Sequence, residues 1–308
     1  MMSGYTVSIR SDELVVGYDG VQALHCSSLK VEGNIMAVVG HNGAGKSTLM
    51  KTLLDLLPTE RGSLRAFESH SGRLLTPEAD MAFCPEMGAV FADISVESYI
   101  QLWCRIKHRD GKYYRKGGST YIEQLKIEPL LKKLGRELSK GQRRRVQTAV
   151  GFLCEPKLFL FDEPFDGLDV QKTSELAHTL AEHRHQMSIV VSSHRMDVVE
   201  RLADVIVVLR EGEVVTLGGV EKVCRDLCGE SYLVSNVSEP TSLVDFLTRK
   251  LPGSLVYPLG NRIRIIGPEL DEELVSQLVI SHDRNGAQTR KTPPSLVDAM
   301  NYHLRMLG

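Results

Sequence analysis

One nine-residue stretch constrains this chain more than any other: GHNGAGKST at positions 40–48. It fits G-x-x-x-x-G-K-[ST]. It follows the apolar run Ile35, Met36, Ala37, Val38, Val39 and precedes a helical pattern over 46–56. In a strand–loop–helix setting the glycines let backbone N–H groups turn inward on phosphates, and the helix N-terminus adds a favourable dipole. Lys46 is placed to reach β- and γ-phosphates, and the Ser47 hydroxyl to ligate Mg²⁺. The first 217 or so residues fit such a loop. Short strand candidates at 13–16, 35–39, 81–84, 158–161, 188–191 and 205–209 alternate with helical candidates at 46–56, 96–106, 122–134, 140–153, 174–186 and 196–202. Continuous apolar strands separated by helices predict a mainly parallel sheet covered on both faces. The strand-rich opening, to about Ser63, predicts an antiparallel subsheet.

Two further stretches carry chemistry. The strand candidate 158–161 ends in Asp162 and Glu163. Asp162 stands where a second Mg²⁺-ligating oxygen belongs. Glu163, facing the other way on an extended backbone, is placed to polarise a water for in-line attack on a γ-phosphate. The sequence LSKGQ at 138–142 puts Ser139 at the N-cap of a helix over 140–153. A serine hydroxyl, a glycine amide and a helix N-terminus together make a second anion site.

Over residues 12–217 this order of motifs resembles the ATP-binding cassette (ABC) ATPases. The resemblance implies an α/β fold: a P-loop ABC ATPase domain over 1–217, with a mainly parallel sheet core, an antiparallel β subdomain and a helical subdomain at about 87–150. It also implies roles. Tyr18, 22 residues before Gly40, matches the aromatic that stacks on adenine. His41, Asn42, Gly43, Ala44, Gly45, Lys46, Ser47 and Thr48 form the Walker A loop that binds ATP. Ser139, Lys140, Gly141 and Gln142 form the signature, which acts in trans. Asp169 is similar to the D-loop acid, and His194 to the switch histidine that senses the γ-phosphate. Glu163 and His194 would carry catalysis; Ser47, Glu86 and Asp162 would hold Mg²⁺. In the implied mechanism two domains pair head to tail around two ATP molecules. A chain with one Walker A loop and one signature then needs a second copy of itself or a paralogous ATPase subunit. Two positions depart from the pattern. Glu86 stands where the Q-loop usually has glutamine, which adds negative charge near Asp162 and Glu163. Lys140 replaces the first glycine of the signature. Glu163 and His194 are intact, so an active ATPase is expected.

From about residue 218 the pattern changes. Strand candidates at 231–237, 254–258, 262–266 and 288–291 and helices at 241–251 and 268–280 follow the order β-α-β-β-α-β. That order predicts a small α+β module over 218–308, ferredoxin-like, with a last helix at 295–306. Thr241 or Ser242 reads as the cap of the first of these helices. Alternation through Arg262, Ile263, Arg264 and Ile265 predicts one buried and one wet face. The tail PSLVDA at 294–299, the pair PE at 85–86 and the LSKGQ form are similar to ABC-2-type exporter ATPases of the drug, sodium and copper-site-maturation kind. The resemblance therefore implies the ATPase subunit of an exporter that drives a separate integral membrane permease. The alternatives are an importer subunit of the branched-chain amino-acid kind, similar in GYDGVQAL at 17–24, and a soluble non-transport ABC ATPase. Against the last, the roughly 50 residues between Glu86 and Ser139 leave no room for the coiled coil of repair ATPases, and translation factors carry two cassettes.

Composition narrows the partners. Lys plus Arg number 37 against 39 Asp plus Glu, a net charge of −2, which argues against a nucleic-acid partner. No apolar run approaches the roughly 20 residues of a membrane span, and residues 1–10 lack the apolar core of a signal peptide. These features predict a cytoplasmic protein, peripheral on the membrane through its permease. The six cysteines form no CxxC pair and no disulfide framework is expected. Cys224 and Cys228 read as half-buried thiols on one helix face. His178, His183 and His185 read as surface histidines. Arg143, Arg144 and Arg145 read as facing water, acids or a partner, and the basic run from Lys107 to Lys116 as a solvated loop.

Overall fold

A strand with no polar face has to lie inside a sheet that is covered on both sides. In the computed structural model, which describes residues 5–18, 20–88, 90–107, 110–283 and 286–306, Ile35–Val39 is buried along its whole length. The chain divides into two compact units, residues 1–215 and 216–308, and the division falls within one strand, Glu213–Gly218.

In chain order the first unit contains β1 (Val7–Tyr18), β2 (Val21–Gly33), β3 (Ile35–Val39), α1 (Lys46–Leu53), β4 (Arg61–Glu68), α2 (Pro77–Asp80), β5 (Met81–Cys84), α3 (Val96–Ile106), α4 (Ser119–Gln124) and α5 (Lys140–Leu153). These are followed by β6 (Leu158–Phe161), α6 (Val170–His183), β7 (Ser188–Ser193), α7 (Met196–Leu202), β8 (Val205–Arg210) and β9 (Glu213–Gly218). The main sheet has the order β5-β6-β7-β3-β8-β9, and β5 through β8 pair in parallel. An antiparallel sheet, β2-β1-β4, accompanies it. Three sequence expectations change here. The helix expected over 122–134 ends at Gln124, because Lys126 adopts φ +50° and Pro129 lies within a short 3₁₀ turn, Glu128–Leu130. The helix expected over 174–186 starts earlier, at Val170, because the Asp169 carboxylate caps it by accepting from the Lys172 N–H at 2.9 Å. His183 is buried: its ring stacks on Phe152 with centroids 4.4 Å apart, and Nδ1 meets the Thr179 carbonyl at 2.8 Å.

The contact that matters most for the site lies between α5 and β6. A Cβ on Gly151 would stand 2.0 Å from Cζ of Phe159, so glycine lets the helix press directly onto the strand. Phe152, Phe159, Phe161, Val146 and Leu180 fill the core around that contact. The helix that opens at Ser139 is thereby fixed against the strand that leads to Asp162.

The second unit runs α8 (Val220–Cys228), β10 (Glu230–Ser235), α9 (Pro240–Lys250), β11 (Leu255–Leu259), β12 (Arg262–Gly267), α10 (Glu272–His282), β13 (Gln288–Lys291) and α11 (Leu296–Arg305). Its sheet is antiparallel, order β11-β12-β10-β13, the arrangement of a ferredoxin-like β-α-β-β-α-β unit. Tyr232, Val234, Ile263, Ile265, Leu243 and Val275 form its core. Several local expectations are corrected. α9 opens at Pro240 with Glu239 before it, so neither Thr241 nor Ser242 is the cap. α10 opens at Glu272 under an Asp271 cap, not at Pro268. The face of β12 expected to be wet is largely sealed: Arg264 pairs with Asp298 of α11 at 3.3 Å and donates to Ser231 and Thr292 at 3.1 and 2.6 Å. Cys224 and Cys228 are fully buried, and burial pushes the Cys228 thiol up to about 12.

Candidate functional site

The site grows from the end of β3. Gly45, at φ +101°, turns the chain into α1, and a Cβ there would lie 2.9 Å from the Ala23 carbonyl, so this position requires glycine. Lys46 follows at the first helical position and is only 6% exposed. Its ammonium donates to the carbonyls of Gly40 (2.9 Å) and His41 (3.2 Å) and lies 3.3 Å from Glu163 Oε1. Ser47 and Thr48 are half-buried beside it, while His41, Asn42 and Gly43 are exposed and Ala44 is buried. Tyr18 stands exposed at the end of β1, opposite Val21 in the β1–β2 pairing.

Two acids arrive from β6. Asp162 is buried, and its backbone N–H donates to the Cys84 carbonyl at 2.9 Å. Glu163 does not continue the strand as expected. It adopts φ +45°, a left-handed conformation uncommon for a side chain of this kind, and from there its carboxylate spans Lys46 and His194. Oε1 faces Lys46; Oε2 accepts from the backbone N–H of His194 at 3.3 Å and meets His194 Nδ1 at 2.9 Å. Between the acids sits Ser192 of β7. Its hydroxyl donates to Asp162 Oδ1 at 2.6 Å and accepts from the Glu163 N–H at 2.8 Å. One buried hydroxyl thus fixes both acids, a part that sequence reasoning missed.

The remaining expected residues form a second cluster. Ser139 and Gln142 cap α5 reciprocally: the Ser139 hydroxyl accepts from the Gln142 N–H at 3.2 Å, and Gln142 Oε1 from the Ser139 N–H at 3.1 Å. Lys140 extends to Asp166 at 2.8 Å, and this bond holds the Asp166 carboxyl below the usual carboxylate range. A Cβ added at Gly141 would meet the Leu168 side chain at 4.0 Å, so the position is uncrowded. Asp169 is held below its ordinary value by its hydrogen bond to Lys172. Glu86 is exposed, and among the described residues its carboxylate makes no hydrogen bond or ion pair; its carbonyl is what ties it in, accepting from Arg144 Nη2 at 2.6 Å. Arg144 is a correction in itself: it is buried rather than facing water, and Nη1 donates to the Glu163 carbonyl. Its place on the helix gave a signal, since positions 144, 148 and 151 share the buried face.

Of the other segments, Arg115 pairs with Glu97, Lys116 with Asp110, and Lys107 donates to the Glu78 carbonyl; His108 and Arg109 lie outside the described residues. Tyr99 is buried, with Phe91 and Trp103 edge-on to it at 5.5 and 6.3 Å. Among the described residues no group of three or more His, Cys, Asp or Glu forms a self-contained metal site. A Mg²⁺ shared with phosphates needs fewer protein ligands, all oxygen. Ser47 and the Ser192-tethered Asp162 fit that demand, and Glu163 Oε1 is a buried oxygen without a hydrogen bond.

The sequence pattern of the family described as "ABC transporter" matches residues 25–166. This chain carries an ABC transporter ATP-binding domain. Similar proteins agree with that assignment. An uncharacterized ABC transporter ATP-binding protein of Methanocaldococcus jannaschii is 28% identical over 203 residues, covering 66% of this chain and 73% of that one. The molybdenum import ATP-binding protein ModC of Brucella melitensis is 32% identical over 240 residues, covering 75% of this chain and 64% of that one. Other relatives are far longer, and the chain spans 11% and 27% of two of them. A solved structure described as the ATP binding subunit of an ABC transporter superposes with a TM-score of 0.63 at 26% identity, covering 71% of this chain and 92% of that chain. The ABC domain is thus an ATP-binding α/β domain of the ATPase type, with its sheet, Lys46 loop and acids in one unit. Among the described residues no helix is long and apolar enough to cross a membrane.

Proposed function

We propose that this chain is the ATP-hydrolysing subunit of an ABC transporter. In this reading it pairs head to tail with a second copy or a paralogous subunit around two Mg-ATP and drives a separate integral membrane permease from the cytoplasmic face. Residues 1–217 are the motor and 218–308 an accessory module. The observation that carries the reading is the convergence of Lys46, Asp162, Glu163, Ser192 and His194.

The chemistry follows from those groups. ATP enters along the Lys46 loop, with its adenine against Tyr18, and the ammonium exchanges Gly40, His41 and Glu163 for β- and γ-phosphate oxygens. Glu163 Oε1, released from Lys46, accepts the proton of a water whose oxygen attacks the γ-phosphorus in line. The bond to the bridging oxygen breaks and ADP leaves with its electron pair. His194 holds Oε2, so the orientation of the carboxylate depends on the histidine that faces the γ-phosphate. Mg²⁺, held by Ser47 and Asp162 and reached from Glu86, would neutralise phosphate charge. The Ser139–Gln142 loop of the second copy, with Asp169 nearby, would close the site with a hydroxyl and helix-terminal N–H groups.

The test is Glu163→Gln. ATP should still bind, turnover should drop by more than about 100-fold, and light scattering should find a dimer under Mg-ATP. A monomer at saturating Mg-ATP refutes the pairing; a wild-type chain without ATPase activity refutes the enzyme. Export is supported by PE at 85–86, LSKGQ and the tail at 294–299. Import is the second reading, favoured by the similarity to a molybdenum import ATP-binding protein. Identifying the membrane protein that co-purifies with the chain separates the two.

A further inference from the structure

Arg144 is 4% exposed and makes no ion pair among the described residues. A buried guanidinium is costly unless its donors are used, and this one spends them on two main-chain carbonyls from separate segments. Nη1 donates to Glu163 and Nη2 to Glu86, the latter at 2.6 Å. The planar fork of arginine fixes the spacing of two acceptors in a way that a single ammonium does not. One of those acceptors belongs to the peptide that most needs fixing. Glu163 sits at φ +45°, a conformation that costs of order 1 kcal/mol or more and persists only where its surroundings impose it. Ser192 holds that residue by its N–H, and Arg144 holds it by its carbonyl.

We infer that Arg144 is a positioning residue for Glu163: it pins the left-handed peptide from which the carboxylate reaches Lys46 and His194, and it ties the Glu86 segment to the same guanidinium. Because Arg144 lies on the helix capped by Ser139, a shift of that helix moves the peptide of the water-activating glutamate directly. The inference rests on reading Glu163 as the group that activates water. It predicts a defect in turnover without a loss of nucleotide binding: the contacts of Lys46 to Gly40 and His41 do not involve Arg144, and a Glu163 held less firmly against Lys46 competes less with phosphate.

The experiment measures steady-state ATPase activity of the full chain with Arg144→Met and Arg144→Lys. Rates are expressed per nucleotide site, titrated with a fluorescent ATP analogue, so that partial unfolding does not imitate a slow enzyme. With Arg144→Met, kcat should fall roughly 10- to 100-fold while KM for ATP rises by no more than about threefold. Arg144→Lys, which keeps the charge without the fork, should fall in between. Wild-type kcat in Arg144→Met, full recovery in Arg144→Lys, or a KM that rises in step with the loss of kcat overturns the inference. If Arg144→Met does not fold, Arg144→Lys decides alone: reduced kcat at unchanged KM supports it, and wild-type kcat overturns it. Failure of the ATPase reading is distinguishable, because then the wild-type chain and Glu163→Gln have equal activity.

Discussion

Replacing Ser192 by alanine tests the acid pair in a measurable way. The hydroxyl is fully buried, donates to the Asp162 carboxylate at 2.6 Å and accepts from the Glu163 N–H at 2.8 Å. Losing a hydrogen bond to a charged group costs about 1.5–3 kcal/mol, and leaving a buried N–H without an acceptor about 1–3 kcal/mol. Removing the hydroxyl also removes its own desolvation cost, about 1–3 kcal/mol. The net loss should be about 1.5–3 kcal/mol. For a unit of residues 1–215, at about 2–4 °C per kcal/mol, that lowers Tm by roughly 3–12 °C. Trp103 is the only tryptophan and packs against the core of this unit, so its fluorescence in a urea titration reports the unit by itself. Ser193→Ala is the control: Ser193 is equally buried, but among the described residues its hydroxyl accepts only from the Arg195 N–H, at 3.0 Å, in a half-buried position. It should lose about 1 kcal/mol or less. If Ser192→Ala unfolds within about 0.5 kcal/mol of wild type, or if Ser193→Ala loses as much, the hydroxyl does not organise the acids and the argument fails.

Two further outcomes follow from the first unit. Gly151→Ala places a methyl group 2.0 Å from the Phe159 ring, and overpacking of a filled core should destabilise by about 1–3 kcal/mol; an unchanged denaturation midpoint would show that α5 and β6 can separate freely. Asp80 accepts two hydrogen bonds from Arg73, at 2.9 and 3.0 Å, which hold its carboxyl below the ordinary value. A carboxyl whose folded pKa is depressed contributes stability above its unfolded pKa and loses it as pH falls through the folded one. Asp80→Asn should therefore flatten the fall of stability below about pH 4, and an unaltered acid slope would remove the pair from the account.

What the sequence made legible follows a physical division. The phosphate loop, β3, β6 and the cap at Ser139 are local signals, written in spacing and periodicity, and the chain folds them as read. The failures arise where distant segments decide. Nothing local marks Glu163 as left-handed, because Ser192 and Arg144 impose it from two other elements. Arg264 alternates as if facing water, yet α11 supplies Asp298, 34 residues on, to receive it. The periodicity of 122–134 favours a helix, but one residue at φ +50° and a proline outweigh it.

The contact between Lys46 and Glu163 has a last consequence. The loop lysine is already engaged by a carboxylate of its own chain, so on the proposed reading nucleotide phosphate enters as a competitor and not as a first guest. Apparent affinity is then the intrinsic affinity scaled by the fraction of molecules in which the lysine is free. Neutralising the glutamate lifts that penalty for ADP as well as for ATP. Tight nucleotide retention, if Glu163→Gln shows it, would then have two sources, stalled hydrolysis and a relieved internal rival, and only the second is shared with the diphosphate.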